Sequence, residues 1–418
     1  MRIGIDASRA FQKNRTGIEE YSYQVIKNLM NKLNKHEVIL YLRKNQTVNF
    51  KLPDNWKIKI IRFPYLWTQL GLSLEMLLRP IDVLFIPAHT VPIISSGNTI
   101  VTIHGLEYEF VPTAYSFWER VYMRWSIKNS CRWARTIIAV SENTKKDLIN
   151  LYKVPKEKIK VIYEGYDKQN FEFRISNFES NPNEKILKPY LLFIGRIEAR
   201  KNVGGILKSY KILVEKYTIP HTLVLAGIPG YGYDIIKLKI QNYLKIKNLK
   251  LKIIELGYVN DAQKWQLLSG AEVFLFPTLY EGFGLPILEA QSVGAPVVAG
   301  DNSSIREIST NYESDTNIRI TNEKNLSFRA DPERAKRVEG VVEESDLKIS
   351  SRSLHFGRDD KCSVLLVNPN NADQIADAAN KLISDKELRN DIIKRGYENV
   401  KRFSWEKCGK QIARVLLS

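Results

Sequence analysis

Two glutamates, Glu281 and Glu289, are separated by seven residues that hold a Gly-Phe-Gly and then Leu285, Ile287 and Leu288. The stretch follows an apolar run, Ala271 to Pro277, that reads as a buried strand ended by proline. The residues from Leu285 to Val293 keep a helical pattern. Amide groups at such a helix start lack intrahelical partners and carry the positive end of the dipole, which suits a phosphate. Glycine lets the backbone approach that phosphate closely. One carboxylate could accept hydrogen bonds from a sugar and the other from a ribose. Those are the requirements of a site for a nucleotide sugar.

A second motif supplies charge of the opposite sign. Gly195-Arg-Ile-Glu-Ala-Arg-Lys201 follows another apolar run, Pro189 to Ile194. It places Arg196 and Lys201 at the carboxyl end of a strand, where open α/β sheets bind ligands. A guanidinium and an ammonium there could neutralise a leaving diphosphate without a metal.

The elements that must position these groups alternate regularly. Strands are expected at Ile3–Ala7, Val38–Leu42, Ile58–Phe63, Val83–Pro87, Thr99–His104, Thr136–Val140 and Ile159–Tyr163. A second series begins at Pro189 and runs through 222–227, 251–256, 273–277, 296–299 and 363–369. Ile18, Tyr21, Val25 and Leu29 mark the first helix, and Ser141 is a natural N-cap for the helix that follows it. Such alternation predicts doubly wound parallel sheets. At 418 residues the chain is too long for one ordinary core. The expected organisation is an N-terminal domain at 1–170, a polar linker at 171–188, a second domain at 189–400 and a final helix at 401–418. Residues 311–361 break the rhythm with many charges and no strong apolar run, and read as a peripheral excursion or disorder rather than as an acceptor-binding element.

The formal net charge is +17, which favours an anionic partner. Cys131, Cys362 and Cys408 lie far apart without a C-x-x-C, and the five histidines show no ligand spacing. That argues against a zinc site and fits a reducing compartment. The chain opens directly on a strand, with no charged and apolar leader, so a cytoplasmic location is expected. The segment Tyr115–Arg135 interleaves aromatics with Arg and Lys. It reads equally well as an interfacial helix on anionic lipid and as a core helix with Trp118, Tyr122, Trp125 and Trp133 inside.

Taken together, the motifs resemble glycosyltransferase family 4, whose members are retaining enzymes of GT-B architecture. Beside the Gly195 and Glu281 segments, the resemblance rests on Arg15-Thr-Gly-Ile-Glu-Glu-Tyr21, Ile103-His-Gly-Leu106 and Ile138-Ala-Val-Ser-Glu-Asn-Thr-Lys145. It also includes Lys160-Val-Ile-Tyr-Glu-Gly-Tyr-Asp167, Leu256-Gly-Tyr-Val259 and Asn368-Pro. It implies two Rossmann-like domains facing a cleft, with the last helix returning toward the first domain. It also implies roles. Gly17 would open toward donor phosphate and acceptor, and His104 would face the transferred sugar. Arg196 and Lys201 would bind the diphosphate with backbone N–H groups of Phe283, Gly284 and Leu285. Glu281 would contact the sugar, Glu289 the ribose, and Val259 the base. Gly105 stands where relatives often carry aspartate.

The implied partners are a nucleotide sugar and a glycan or lipid-linked acceptor, with an anionic membrane surface as a further candidate and no nucleic acid. The segments Pro87–Pro92 and Ile103–Leu106 look most like mannosyltransferases, making GDP-mannose the first expected donor and a UDP-sugar the next. No Asp-x-Asp motif is present, so no metal cofactor is expected. A dinucleotide oxidoreductase would need Gly-x-Gly-x-x-Gly after a first strand, and Gly227-Ile-Pro-Gly-Tyr-Gly232 has the wrong order. A GT-B sugar-nucleotide epimerase is the more serious rival, and a non-enzymatic binder of anions a weaker one.

Overall fold

A computed structural model describes residues 1–13, 15–166, 189–246, 249–310 and 362–418. The linker expected at 171–188 and the excursion at 311–361 lie outside the described residues. Met1–Thr310 and Cys362–Ser418 belong to one compact unit.

The first sheet comprises β1 (Arg2–Asp6), β2 (Glu37–Arg43), β3 (Trp56–Ile61), β4 (Val83–Ile86), β5 (Thr99–Ile103), β6 (Thr136–Ala139) and β7 (Ile159–Val161). The second comprises β8 (Tyr190–Ile194), β9 (Thr222–Ala226), β10 (Ile253–Gly257), β11 (Val273–Phe276), β12 (Val297–Gly300) and β13 (Leu365–Val367). Every pairing between these strands is parallel. Central strands such as β4, β5, β9 and β11 are buried at every position. Helices therefore cover both faces of the sheets, and the strands read as apolar runs rather than as alternations. The edge strand β3 differs, with Ile58 and Ile60 exposed beside Lys57 and Lys59. Lysines on an edge discourage pairing with another chain.

The longer helices are α1 (Gly17–Leu29), α2 (Phe117–Trp133), α3 (Glu142–Tyr152), α4 (Val203–Tyr217), α5 (Tyr233–Leu244), α6 (Asp261–Gly270), α7 (Leu285–Ser292), α8 (Ala372–Ser384), α9 (Lys386–Val400) and α10 (Trp405–Leu416). Their starts obey local chemistry. Ser141 Oγ accepts the Thr144 amide to begin α3, and Asn260 with Gln263 forms a capping box on α6. The final helix α10 packs on α1 of the first domain. A Cβ at Gly409 would come within 2.8 Å of Asn28 Cβ, and the rings of Trp405 and Tyr21 lie 6.0 Å apart. A Cβ at Gly165 would stand 2.1 Å from the Trp405 amide nitrogen, so glycine there admits the start of α10.

Strand order fixes where ligands can sit. The orders are β3-β2-β1-β4-β5-β6-β7 and β10-β9-β8-β11-β12-β13. Each reverses direction once, between β1 and β4 in the first sheet and between β8 and β11 in the second. At such a reversal the connecting helices leave on opposite faces, opening a crevice at the carboxyl ends of the strands.

Candidate active site

Two loops line the second crevice. The loop after β8 leaves Gly195, at φ +154°, and makes a short helical turn over Ala199–Lys201. Asn202 then takes the left-handed conformation and caps α4 through Gly205, while its amide donates to the carbonyls of Pro277 and Pro369 at 2.9 and 2.6 Å. One side chain thus ties this loop to the end of β11 and to the loop after β13. Arg200 and Lys201, the residues just before it, are held in place.

The loop after β11 brings Glu281 to them. Lys201 Nζ lies 2.6 Å from Glu281 Oε1, and Arg200 Nη1 lies 3.9 Å from Oε2. Arg200 also donates to Glu198 at 2.8 Å and to the Tyr280 carbonyl at 3.4 Å. The Lys201 and Glu281 side chains are only 12% and 9% exposed. Burial pushes the Lys201 pKa below the ordinary lysine value, with Glu281 opposing the shift. Burial also works against the charge of Arg200, but Glu281, Glu107 and Glu198 outweigh it and hold that pKa above the ordinary value. Arg196 differs from both. It is exposed, lies against Gly230, and makes no side-chain hydrogen bond or ion pair with another described residue.

Backbone geometry explains the rest of the motif. Gly284 has φ +112° and precedes the first residue of α7, Leu285. A Cβ there would be strained and would also meet Ile308 Cδ1 at 2.8 Å. Ser303 Oγ accepts the Glu281 amide, and Ser304 Oγ lies 2.9 and 2.7 Å from the carbonyls of Glu281 and Phe283. The Phe283 ring is buried against Tyr163 and Phe403. Within α7, Glu289 pairs with Lys264 of α6 at 2.7 Å. Each of the two glutamates therefore faces a lysine. Val259 is half-buried between β10 and the Asn260 cap of α6.

The first domain meets this loop through both backbone and side chains. A Cβ at Gly282 would stand 1.4 Å from the carbonyl oxygen of His104. The Gly282 carbonyl accepts from Ser141 Oγ at 2.7 Å and Thr144 Oγ1 at 3.3 Å. Nearby, Glu307 accepts the amides of Glu142 and Asn143 at 2.7 and 3.1 Å, placing a carboxylate on the positive end of α3. The Tyr280 hydroxyl donates to Asp147 at 2.6 Å. Gly105, at φ +147°, would bring a Cβ within 3.2 Å of Gly282 Cα and 3.3 Å of the Tyr280 ring. The approach of the two loops accounts for glycine at that position.

The His104 ring is almost buried. Its Nδ1 lies 3.1 Å from Glu164 Oε1 and its Nε2 2.9 Å from the Pro87 carbonyl. Tyr21 and His89 pack edge-on against it. The structure thus brings Lys201 and Glu281 together and sets the His104 carbonyl against the next residue. Arg196 stands outside that cluster, and Glu289 belongs to a separate pair. Gly17 begins α1 after Thr16, with no atom within 4 Å of where its Cβ would be. Sequence reasoning passed over Arg200, Glu164, Asp147 and Glu307. The dibasic Arg200-Lys201 was a visible signal for the first, whereas nothing local marks the others. Among the described residues, no group of three His, Cys, Asp or Glu side chains is placed to hold a metal.

Comparison with known proteins shows what activity this fold carries. The description "Glycosyltransferase Family 4" matches residues 15–170, and "Glycosyl transferases group 1" matches residues 173–330. The chain is a glycosyltransferase, with family 4 and group 1 matches in succession. The O-antigen chain mannosyltransferase B of Escherichia coli is 27% identical over 319 residues, which cover 75% of this chain and 68% of that protein. The O-antigen chain mannosyltransferase RfbU of Salmonella typhimurium is 27% identical over 223 residues, covering 53% of this chain and 57% of that one. A galactosyltransferase of Escherichia coli acting on GlcNAc-diphosphoundecaprenol is 29% identical over 57% of this chain and 64% of its own length. Among solved structures, the sucrose-phosphate synthase of Thermosynechococcus elongatus superposes with a TM-score of 0.66 at 16% identity, covering 99% of this chain and 97% of that one. WaaG, a glycosyltransferase of lipopolysaccharide biosynthesis, gives 0.64 at 12% identity, covering 100% and 99%. Both likenesses are of fold, and they make this glycosyltransferase a GT-B protein of two parallel-sheet α/β domains.

Proposed function

We propose that this glycosyltransferase moves one sugar, with retention of configuration, from a nucleoside-diphosphate donor to a glycan or lipid-linked acceptor. GDP-mannose is the first donor and a UDP-sugar the second. The observation that carries the reading is the Lys201–Glu281 contact at the crevice between β8 and β11. A leaving diphosphate takes the bonding electron pair and gains one negative charge as the glycosyl bond breaks. Lys201, Arg200 and the exposed Arg196 supply positive charge, and the amides from Phe283 to Leu285 supply donors. Glu281 would exchange its lysine for sugar hydroxyls, and Glu289 would take the ribose. This arrangement needs no metal. The mannosyltransferase relatives support polysaccharide or glycolipid assembly as the setting.

We infer a cytoplasmic setting at a membrane surface for such an acceptor. No described helix is long and apolar enough to cross a bilayer. Instead α2 exposes Phe117, Trp118, Tyr122 and Trp125, interleaved with Arg120, Arg124 and Lys128, while Trp133 packs on the core. Aromatics beside cations suit the interface of an anionic bilayer.

Thermal stabilisation by GDP, UDP, ADP and CMP, at low salt with EDTA, tests the donor reading. A shift with one nucleoside diphosphate that is lost in Arg196→Ala supports it. No shift with any nucleotide overturns it.

A further inference from the structure

Both ring nitrogens of His104 face acceptors. Nε2 lies 2.9 Å from the Pro87 carbonyl, which has nothing to donate, so that nitrogen carries a hydrogen. Nδ1 lies 3.1 Å from Glu164 Oε1. A neutral imidazole protonated at Nε2 would turn a bare lone pair toward a carboxylate. A hydrogen must therefore stand between Nδ1 and Oε1, on one atom or the other. The pair holds one proton more than a neutral imidazole beside an ionised carboxylate.

Its surroundings agree with that count. The two side chains are 9% and 6% exposed, and Glu164 makes no other ion pair among the described residues. Tyr21 of α1, His89 after β4 and Cys408 of α10 are the titratable groups that face the pair. Burial pushes Tyr21 and Cys408 up and His89 down to about 3, so none of the three brings a charge. With no cation to balance a buried carboxylate, a shared proton leaves the pair neutral overall and avoids an uncompensated charge.

The neighbours of Glu164 in sequence show what the pair holds. The Tyr163 ring packs against Phe283 and Phe403, with centroids 6.1 and 5.8 Å away. Gly165 admits the amide of Trp405 at the start of α10. Between them, Glu164 grips a ring whose own main-chain carbonyl abuts Gly282, the residue after Glu281. Both nitrogens of the ring are taken, and what His104 offers the second domain is its main chain.

We propose that Glu164 is a positioning residue for sugar transfer: by sharing one proton with the His104 ring it fixes the main chain on which Gly282, and with it Glu281, is seated. The proposal rests on the transferase reading and adds to it a residue that acts through His104.

Glu164→Gln and Glu164→Leu test it in the full chain. A glutamine amide can donate to Nδ1 while Nε2 keeps Pro87, so it needs no shared proton; leucine offers no hydrogen bond. Hydrogen exchange of the peptide spanning residues 281–285 reads the seating of the loop without any substrate. It should quicken by about tenfold or more in Glu164→Leu and stay native in Glu164→Gln. Release of GDP from GDP-mannose and of UDP from UDP-glucose, with water taking the sugar, reads turnover. Its kcat should fall by about tenfold or more in Glu164→Leu, with KM unchanged, and be rescued by Glu164→Gln. The native rate should decline as rising pH strips the shared proton, and Glu164→Gln should lose that decline. Nitrogen NMR of the histidine rings, with His104 assigned by its loss in His104→Gln, should show Nε2 protonated and follow the same proton; this arm stands even where Glu164→Leu does not fold. Native exchange at 281–285 in Glu164→Leu, a shared decline with pH in the native and Glu164→Gln chains, or an Nε2 without hydrogen overturns the proposal. Turnover of neither donor by the native chain strikes the donor reading instead, and loop exchange and the ring signals then decide the positioning role.

Discussion

Gly282 of the second domain rests on the main chain of His104 in the first, so closely that a Cβ would lie 1.4 Å from the His104 carbonyl oxygen. The residue before it is Glu281, paired with Lys201. The contact that joins the domains and the contact at the proposed diphosphate site are therefore one peptide bond apart. Gly282→Ala should push the loops apart without unfolding either sheet. We expect sugar transfer to fall by at least about 100-fold, as for misplacements of about 1 Å near reacting groups. Far-UV circular dichroism should be unchanged and the small-angle scattering radius larger. Retained activity would show that the contact is dispensable.

The two motif cations should separate in their effects. Lys201 and Glu281 are a nearly buried pair, and removing the lysine leaves Glu281 with only the 3.9 Å approach of Arg200. Lys201→Ala is expected to cost about 3–5 kcal/mol in urea unfolding. Arg196 is exposed and unpaired among described residues. Its replacement by alanine should change stability by no more than about 0.5 kcal/mol. Nucleoside-diphosphate affinity should nonetheless drop by about tenfold or more, the worth of a charge-assisted hydrogen bond.

Asp147 links α3 to the Tyr280 hydroxyl, and burial raises its pKa to about 6, against the hydrogen bonds from Tyr280 and Asn143. In the unfolded chain it would titrate near its ordinary value of 3.8. Between about pH 4 and 6 the folded form holds a proton that the unfolded form has released, so this residue's stability contribution falls as pH rises through that window. Asp147→Asn retains a hydrogen-bond acceptor without the charge. It should therefore be more stable than the native chain at pH 7, by up to about 3 kcal/mol, with the gap closing toward pH 4. Urea midpoints at the two pH values decide this, and a gap independent of pH would contradict it.

Membrane association makes a separate claim on α2. Trp118 is 76% exposed and Trp125 45%. Replacing both by serine removes apolar surface that an interface would bury. Co-sedimentation with vesicles containing anionic phospholipid should fall by about tenfold or more, each lost aromatic being worth about 1–2 kcal/mol of burial. Donor binding should be unaffected. Equal sedimentation of the variant would assign these aromatics to some other partner.

Much of this protein was legible from residue order. Buried parallel strands are short apolar runs, and helix starts are Ser, Asn or Asp followed by helical periodicity. Both are local signals, so the strand series, the Ser141 cap and the two-domain α/β class could be read directly. The left-handed turn at Gly284 and the opposed charges of Lys201 and Glu281 belonged to recognisable motifs. Other features depended on which strand ends meet. Glu307 reaches the α3 amides from a residue far along the chain, Arg200 rather than Arg196 lies beside Glu281, and the buried His104 ring faces Glu164 and Pro87. Trp118, Tyr122 and Trp125 have helical spacing that fits a core, and only packing put them on the surface. The His104–Glu164 pair, with Pro87, gathers residues from the ends of β5, β7 and β4. No motif marks their meeting, because strand order brings those ends together, and that order is set by tertiary packing of the sheet.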